Sequence, residues 1–376
     1  MEDKVLERLL FSLLFLLFCF DCFAYKRTIS VMSYNLENLF DTLHDEGKED
    51  YTFLPLIRKE RDPVIRSFCY KIPNPKYRHE CFNLDWSAPV LLNKIRNLAK
   101  IIKESNKGRG PDILILQEVE NYNSLQKLIN LGLDGEGYEE LVIIEGPDRR
   151  GIDVAIVSRF PLAKDVKYHQ IDLTEAFPSV LSIDEIKKTR GILEATFSIQ
   201  GKHLSVFANH WPSQANPNIT RIISAQVLKK AIYNHPNPYI VAGDFNTEKN
   251  DRENGIKDIL MDPNSKEMLV DAEGEYINSI TETNRFSKGT HFYRGKWNSL
   301  DKILIPSRYI YGNCKQRPCL KPFWDSFEII YEDFMLEEIS YEQDGEIIFE
   351  KIPKRFDPET GLGASDHLPI LLRLSL

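Results

Sequence analysis

Tyr239-Ile240-Val241-Ala242-Gly243-Asp244-Phe245-Asn246 is the stretch on which the fold turns: a short aliphatic run that stops at a carboxylate and an amide. Runs of this length and content read as buried strands. A buried strand that stops at an acid delivers that acid to the rim of its sheet. The same arrangement recurs along the chain. Ile29 to Tyr34 leads into Asn35-Leu36-Glu37, Ile113 to Leu116 into Gln117-Glu118, and Leu204 to Ala208 into Asn209-His210. Near the end, Asp366-His367 precedes a strand expected over Leu368 to Leu374, in which Pro369 is tolerable only at the start or on an edge. With these strands in two packed sheets, their polar ends meet on one rim.

Helices are expected between them, at Val90 to Ser105, where Leu91, Leu92, Ile95, Leu98, Ile101 and Ile102 follow a helical period, and at Arg221 to Tyr233. Strands alternating with helices indicate an α/β class. Three stretches break the alternation, near 41–86, 250–286 and 309–358, and read as loop insertions over the rim. The 376 residues, 42% of them hydrophobic, suffice for a large core, and no Gly/Ser linker or repeat divides them, so residues 25–376 are expected to form a single domain. A net charge of -8 excludes a global basic field, so contact with a polyanion must be local or made through a metal.

The first 24 residues stand apart. Leu9 to Phe20 is an apolar run too short for a typical membrane span, and Cys22-Phe23-Ala24 offers small residues for cleavage, so residues 1–24 read as a secretory signal cut after Ala24. The alternative is an uncleaved membrane anchor, because acids outnumber bases ahead of the run. Cleavage would leave Cys69, Cys81, Cys314 and Cys319, two locally spaced pairs that suit disulfides in a secreted or periplasmic protein better than they suit the spacings of a zinc site.

Glu37, Glu118, Asp244 and Asp366, with the amides of Asn35 and Asn246, are hard oxygen ligands, which suit Mg2+ or Mn2+, and also Ca2+. A cation so held neutralises phosphate oxygens, which makes phosphate-ester hydrolysis the leading chemistry. His367 is placed to act as general base or phosphate-contacting acid with Asp301 orienting its ring, and His210 to donate to the scissile phosphate.

In this order and context the residues resemble the endonuclease/exonuclease/phosphatase superfamily, the DNase I-like group. Its most specific elements here are Gln117-Glu118, Gly243-Asp244-Phe245-Asn246 and Ser365-Asp366-His367. Ser33 to Asp41 and His210-Trp211-Pro212-Ser213 are most similar to a bacterial, often exported, nuclease-like branch. The resemblance implies a four-layer α/β sandwich, two mixed β-sheets face to face with helices outside. It implies that Glu118 is the central metal ligand, supported by Asn35, Glu37 and Asp366. Asp244 would position or deprotonate the attacking water, Asn246 would hold the phosphate, and His210, His367 and Asp301 would complete the catalytic set. Asp244 and His367 both stand as candidates for the base. Arg190 matches a substrate-contact position and ranks above Arg150 as a basic contact.

The expected activity is that of an exported, metal-dependent phosphodiesterase acting on nucleic acid, DNA foremost and RNA second, as a monomer without an obligate protein partner. Alternatives are a phospholipid or sphingomyelin phosphodiesterase, an inositol phosphate phosphatase, and a non-catalytic binding protein on the same scaffold. The aromatic pairs Phe323-Trp324 and Phe292-Tyr293 sit among charges and make no clear membrane wedge, and no dense basic pocket is visible in the sequence.

Overall fold

The computed structural model describes residues 28–177, 189–279, 288–311, 319–343 and 345–376. The chain forms β1 (Thr28–Leu39), β2 (Ile113–Val119), β3 (Glu140–Ile143), β4 (Asp153–Ser158), β5 (Lys167–His169), β6 (Ile192–Ile199), β7 (Lys202–His210) and β8 (Tyr239–Asp244). There follow β9 (Leu269–Asp271), β10 (His291–Tyr293), β11 (Lys296–Asn298), β12 (Asp301–Pro306), β13 (Lys321–Ile329), β14 (Leu336–Gln343), β15 (Glu346–Pro353) and β16 (Ile370–Ser375). One six-stranded sheet runs β13-β16-β1-β2-β4-β3 and the other β5-β6-β7-β8-β12-β9. They pack face to face, β1 against β8 and β12 and β4 against β6 and β7, and their facing side chains make one continuous apolar core. Helices Ala88–Gly108 and Ile219–Ile232 lie outside, as amphipathic segments must when the sheet faces between them are already filled.

The topology explains why the polar ends converge. At the centre of each sheet two strands are parallel, β1 with β2 and β7 with β8, while their outer neighbours β16 and β12 run antiparallel. Parallel strands finish at the same edge, and antiparallel neighbours begin there. The ends of β1, β2, β7 and β8 and the starts of β12 and β16 therefore share a rim. In the second sheet the register sets His210 opposite Asp244 and Asp244 opposite Asp301. Gly243 makes that register possible: its φ is +145°, and a Cβ there would lie 1.9 Å from the carbonyl oxygen of Asn209.

All three stretches expected as loop insertions carry regular structure. The first folds into helices Leu56–Arg61, Pro63–Lys71 and Pro75–Asn83. Asp62 and Asn74 cap the second and third by accepting from Val64 N and Lys76 N, each ahead of a proline in the first turn. Leu54, Ile65, Cys69 and Cys81 form a small separate core there, and Cys69 is disulfide-bonded to Cys81 with 5.5 Å between Cα atoms. The second stretch supplies β9 and the helix Ala272–Ser279. The third supplies β13, an edge strand of the first sheet, and the hairpin β14–β15. These edge and exposed strands mix apolar with charged residues without a strict two-residue period, which is why their sequence reads as irregular.

The leader, Lys187, Lys188 and Cys314 lie outside the described residues. Among the described residues no helix is long and apolar enough to cross a membrane.

Candidate active site

Asp244 is the meeting point. Its Oδ2 accepts from Asn35 Nδ2 at 3.1 Å and from Asn246 Nδ2 at 3.1 Å, and its Oδ1 accepts from Asn246 N at 2.9 Å. The same Oδ2 lies 3.6 Å from His210 Nε2 and 3.9 Å from His367 Nε2. Groups from β1, β7, β8 and the segment before β16 thus converge on one buried carboxylate. Burial pushes Asp244 up to about 7 and Asp301 adds to the rise, while His367 and the two amide contacts act against it.

His367 is held from behind: Asp301, buried at the start of β12, meets its Nδ1 at 2.8 Å. Burial alone would lower this imidazole, but Asp301, Asp244 and Asp366 outweigh that and hold it well above its usual value. The His291 ring covers it, centroids 4.6 Å apart, and burial pushes His291 down to about 4, so a neutral ring lies over a charged one. His210 differs. Burial, then Arg190, Arg150 and His367, keep it well below its usual value, and its Nδ1 has no partner.

The carboxylates assigned to the metal come from the other sheet. Glu118 at the end of β2 accepts from Asn38 N at 3.0 Å and comes within 3.9 Å of His210 Nε2. Glu37 and Asp366 flank Arg355, whose Nε is 2.5 Å from Glu37 Oε1 and whose Nη1 is 3.7 Å from Asp366 Oδ2. Burial beside Asp366 pushes Glu37 up to about 7, partly countered by Lys94 and Arg355. For Asp366 the balance goes the other way, because His367, Arg355, His291 and Lys94 overcome its burial and lower it. Asn35 Oδ1 accepts from Glu37 N at 3.0 Å, and Ser365 Oγ donates to Asn35 O at 2.7 Å, which ties β1 to the segment before β16.

The donors are all oxygens, the chemistry that suits a hard divalent cation, but Arg355 stands between Glu37 and Asp366, and among the described residues Glu37, Glu118 and Asp366 do not bring three carboxylate oxygens within 4.8 Å of one another. Three of the residues hold unusual backbone: φ is +50° at Glu37, +61° at Glu118 and +49° at Asn246. The ladders of β1 with β2 and β2 with β4 shift register at the first two. Left-handed backbone at residues with a Cβ costs about 1–2 kcal/mol each and concentrates where a side chain must be re-aimed.

The two basic residues part company. Arg190 is buried, its Nη1 donating to Asp148 Oδ2 at 2.9 Å, its Nε to His210 O at 3.0 Å, with Nη2 3.1 Å from His210 Nε2. It clamps His210 rather than facing solvent. Arg150 is 58% exposed beside Asp148. Asn246 spends its amide hydrogens on Asp244 and on Trp211 O at 3.1 Å, so holding phosphate requires it to exchange one of them.

Four residues with no expected role join the site: Lys94, Asp148, His291 and Arg355. Only Lys94 left a signal, a lysine on the apolar stripe between Leu91 and Ile95. It is buried there and donates to Glu37 O at 3.0 Å and Ala364 O at 2.6 Å, whereas Leu92, expected on the stripe, is only partly covered. A second acidic group, Asp45, Asp50 and Glu120, lies just beyond the ends of β1 and β2 and can hold a metal ion.

A family model described as the endonuclease/exonuclease/phosphatase family matches residues 70–375. No curated protein sequence matches the chain. Among solved structures, an endonuclease/exonuclease/phosphatase from Bacteroides vulgatus superposes with a TM-score of 0.51 at 15% identity, over 93% of this chain and 100% of that one. Humanized D. rerio TDP2 with 14 mutations superposes with a TM-score of 0.50 at 16% identity, over 93% of this chain and 99% of that one. At such identities these likenesses speak for the fold.

Proposed function

The chain belongs to the endonuclease/exonuclease/phosphatase family, and from that premise we propose that it is a divalent-metal-dependent phosphodiesterase that cleaves nucleic acid, DNA foremost. The observation that carries the reading is the convergence on Asp244 Oδ2 of Asn35, Asn246, His210 and His367 from both sheets. A carboxylate so fixed, and raised toward neutrality, is matched to taking a proton from water at physiological pH. We assign Asp244 as the base. His367, charged and braced by Asp301, donates a hydrogen bond to a phosphate oxygen, and neutral His210, its Nε2 accepting from Arg190, lines the same place. When bound by Glu118, Asn35, Glu37 and Asp366, the divalent cation supplies neutralisation of phosphate charge. Arg150 supplies a local attraction that the acidic chain as a whole lacks. The Cys69–Cys81 disulfide supports export, as does the leader sequence.

A second reading has one observation in its favour. Hairpin β14–β15 exposes Ile347 by 69% and Phe349 by 68% beside β10, which carries His291, and such a surface suits a phosphodiester held in a lipid interface. The deciding experiment incubates purified protein with plasmid DNA, linear DNA, RNA, sphingomyelin vesicles and inositol phosphates, with Mg2+, Mn2+ or EDTA. Metal-dependent DNA cleavage is expected. Hydrolysis of lipid without hydrolysis of nucleic acid would overturn the nuclease reading.

A further inference from the structure

The acidic group beyond the catalytic rim has no part in the chemistry above. Asp45, Asp50 and Glu120 each bring one carboxylate oxygen to within 4.8 Å of the others. Asp50 and Glu120 are each only 2% exposed. Several of their oxygens accept hydrogen bonds: Asp50 Oδ2 from Asp45 N at 2.7 Å, Asp45 Oδ2 from Asn121 Nδ2 at 2.8 Å, and Glu120 Oε2 from Asp41 N at 2.7 Å. Glu120 Oε1 is buried and has no hydrogen-bond partner. Among the described residues the group receives no lysine or arginine; its one basic neighbour is His44, which pairs with Asp50. A buried carboxylate oxygen with unused lone pairs, beside two further carboxylates, is a costly arrangement that either a bound cation or a proton relieves.

We propose that Asp45, Asp50 and Glu120 form a second divalent-cation site, for Ca2+, that is separate from the catalytic one and fastens the 41–86 segment to the end of β2. Ca2+ takes oxygen ligands at about 2.3–2.6 Å in flexible geometry, and oxygens within 4.8 Å of one another need only small movements to share it. Solvent completes the shell on the side of Asp45, which is only partly buried. The site joins elements distant in sequence. Glu120 follows β2 two residues after Glu118, whereas Asp45 and Asp50 precede the three short helices of the insertion. Asp41, whose N–H reaches Glu120, directly follows Phe40, whose carbonyl accepts from Trp86 Nε1 at 3.0 Å at the far end of the insertion. A cation here therefore closes the insertion at its base, while the disulfide and the small core hold its interior.

The inference does not depend on the proposed substrate, and it is tested in a background lacking the catalytic ligand. Full-length Glu118→Gln protein is dialysed against chelator, and its Ca2+ stoichiometry and thermal midpoint are measured with and without Ca2+. Asp45→Asn, which keeps the acceptor for Asn121, is made in the same background. Asp50→Asn is the second variant, and far-UV circular dichroism reports the folding of both. One tightly held Ca2+ per chain and a Ca2+-dependent rise in midpoint are expected for Glu118→Gln. Both should be lost in the two double variants, whose metal-free midpoints should equal or exceed that of the parent because a like charge has gone. Absence of any Ca2+ binding by Glu118→Gln, or full retention of it after Asp45→Asn, would overturn the proposal and leave a proton shared among the three carboxylates as the means of relief.

Discussion

Replacing Asp301 with Asn tests whether the second sheet acts on the phosphate through His367. Asp301 is buried, and its Oδ2 lies 2.8 Å from His367 Nδ1. A hydrogen bond to a charged group contributes about 1.5–3 kcal/mol. One pKa unit corresponds to about 1.4 kcal/mol, so neutralising Asp301 should lower the His367 pKa by about one to two units. The sign follows from the geometry. The carboxylate favours imidazolium, so its loss favours the neutral ring, and the alkaline limb of the pH–rate profile moves to lower pH by the same amount. If His367 acts as a charged donor, the charged fraction, and with it the rate on the alkaline side, should fall by up to about 10- to 100-fold. The assay is Mg2+-dependent hydrolysis of a chromogenic phosphodiester across pH, with long-range nitrogen–proton NMR of the histidine rings reporting the titration of His367 directly. Because Asp301 is placed to act through His367, the double variant Asp301→Asn/His367→Ala should lose no more rate than His367→Ala alone. An unshifted His367 titration, or losses that multiply in the double variant, would refute the reasoning.

Three further outcomes are expected. Gly243→Ala should fail to fold or lose several kcal/mol, because its Cβ would meet the Asn209 carbonyl between β7 and β8; chemical denaturation of soluble protein checks this, and a wild-type midpoint would contradict it. Arg190→Gln leaves the Asp148 carboxylate without its main partner and should cost roughly 3–5 kcal/mol, most of it recovered in Arg190→Gln/Asp148→Asn, a coupling that a double-mutant cycle measures. Apparent Mg2+ affinity should climb up to tenfold per pH unit below about 7 and then level off, because Glu37 is pushed up to about 7 and must release its proton to bind metal; calorimetry in two buffers of different ionisation enthalpy counts that proton.

The sequence revealed the strands whose burial is two-sided and hid those whose burial is not. β1, β2, β7 and β8 carry mostly apolar, almost wholly buried runs, so their polar ends announced the rim. β13, β14 and β15 lie on an edge or face solvent and mix apolar with charged residues without a strict period, so nothing separates them from loop. The insertion helices did leave a signal in Asp62-Pro63 and Asn74-Pro75, a capping side chain followed by a proline, which the polarity of the surroundings obscured. Of the site, the side chains at strand ends were legible. Their positive-φ backbone was not, since Glu is not a residue type that advertises it; Asn246 is of a type that adopts it readily, but nothing around it singled it out. Arg355 and His291 arrive from elements that the sequence offered no means of placing against the rim. Arg190 was legible as a basic residue near the site, but its burial behind His210 depends on Asp148, far away in the chain.

The central claim is that Glu118, together with a divalent cation, runs phosphodiester hydrolysis on this rim. It is tested most directly by comparing DNA cleavage by wild-type protein in Mg2+, by the same protein in EDTA, and by Glu118→Gln in Mg2+ with its fold verified. The account predicts cleavage in the first sample only, with Mg2+ restoring activity to the chelated wild-type enzyme. Undiminished cleavage by Glu118→Gln, or cleavage that persists in EDTA, would contradict it.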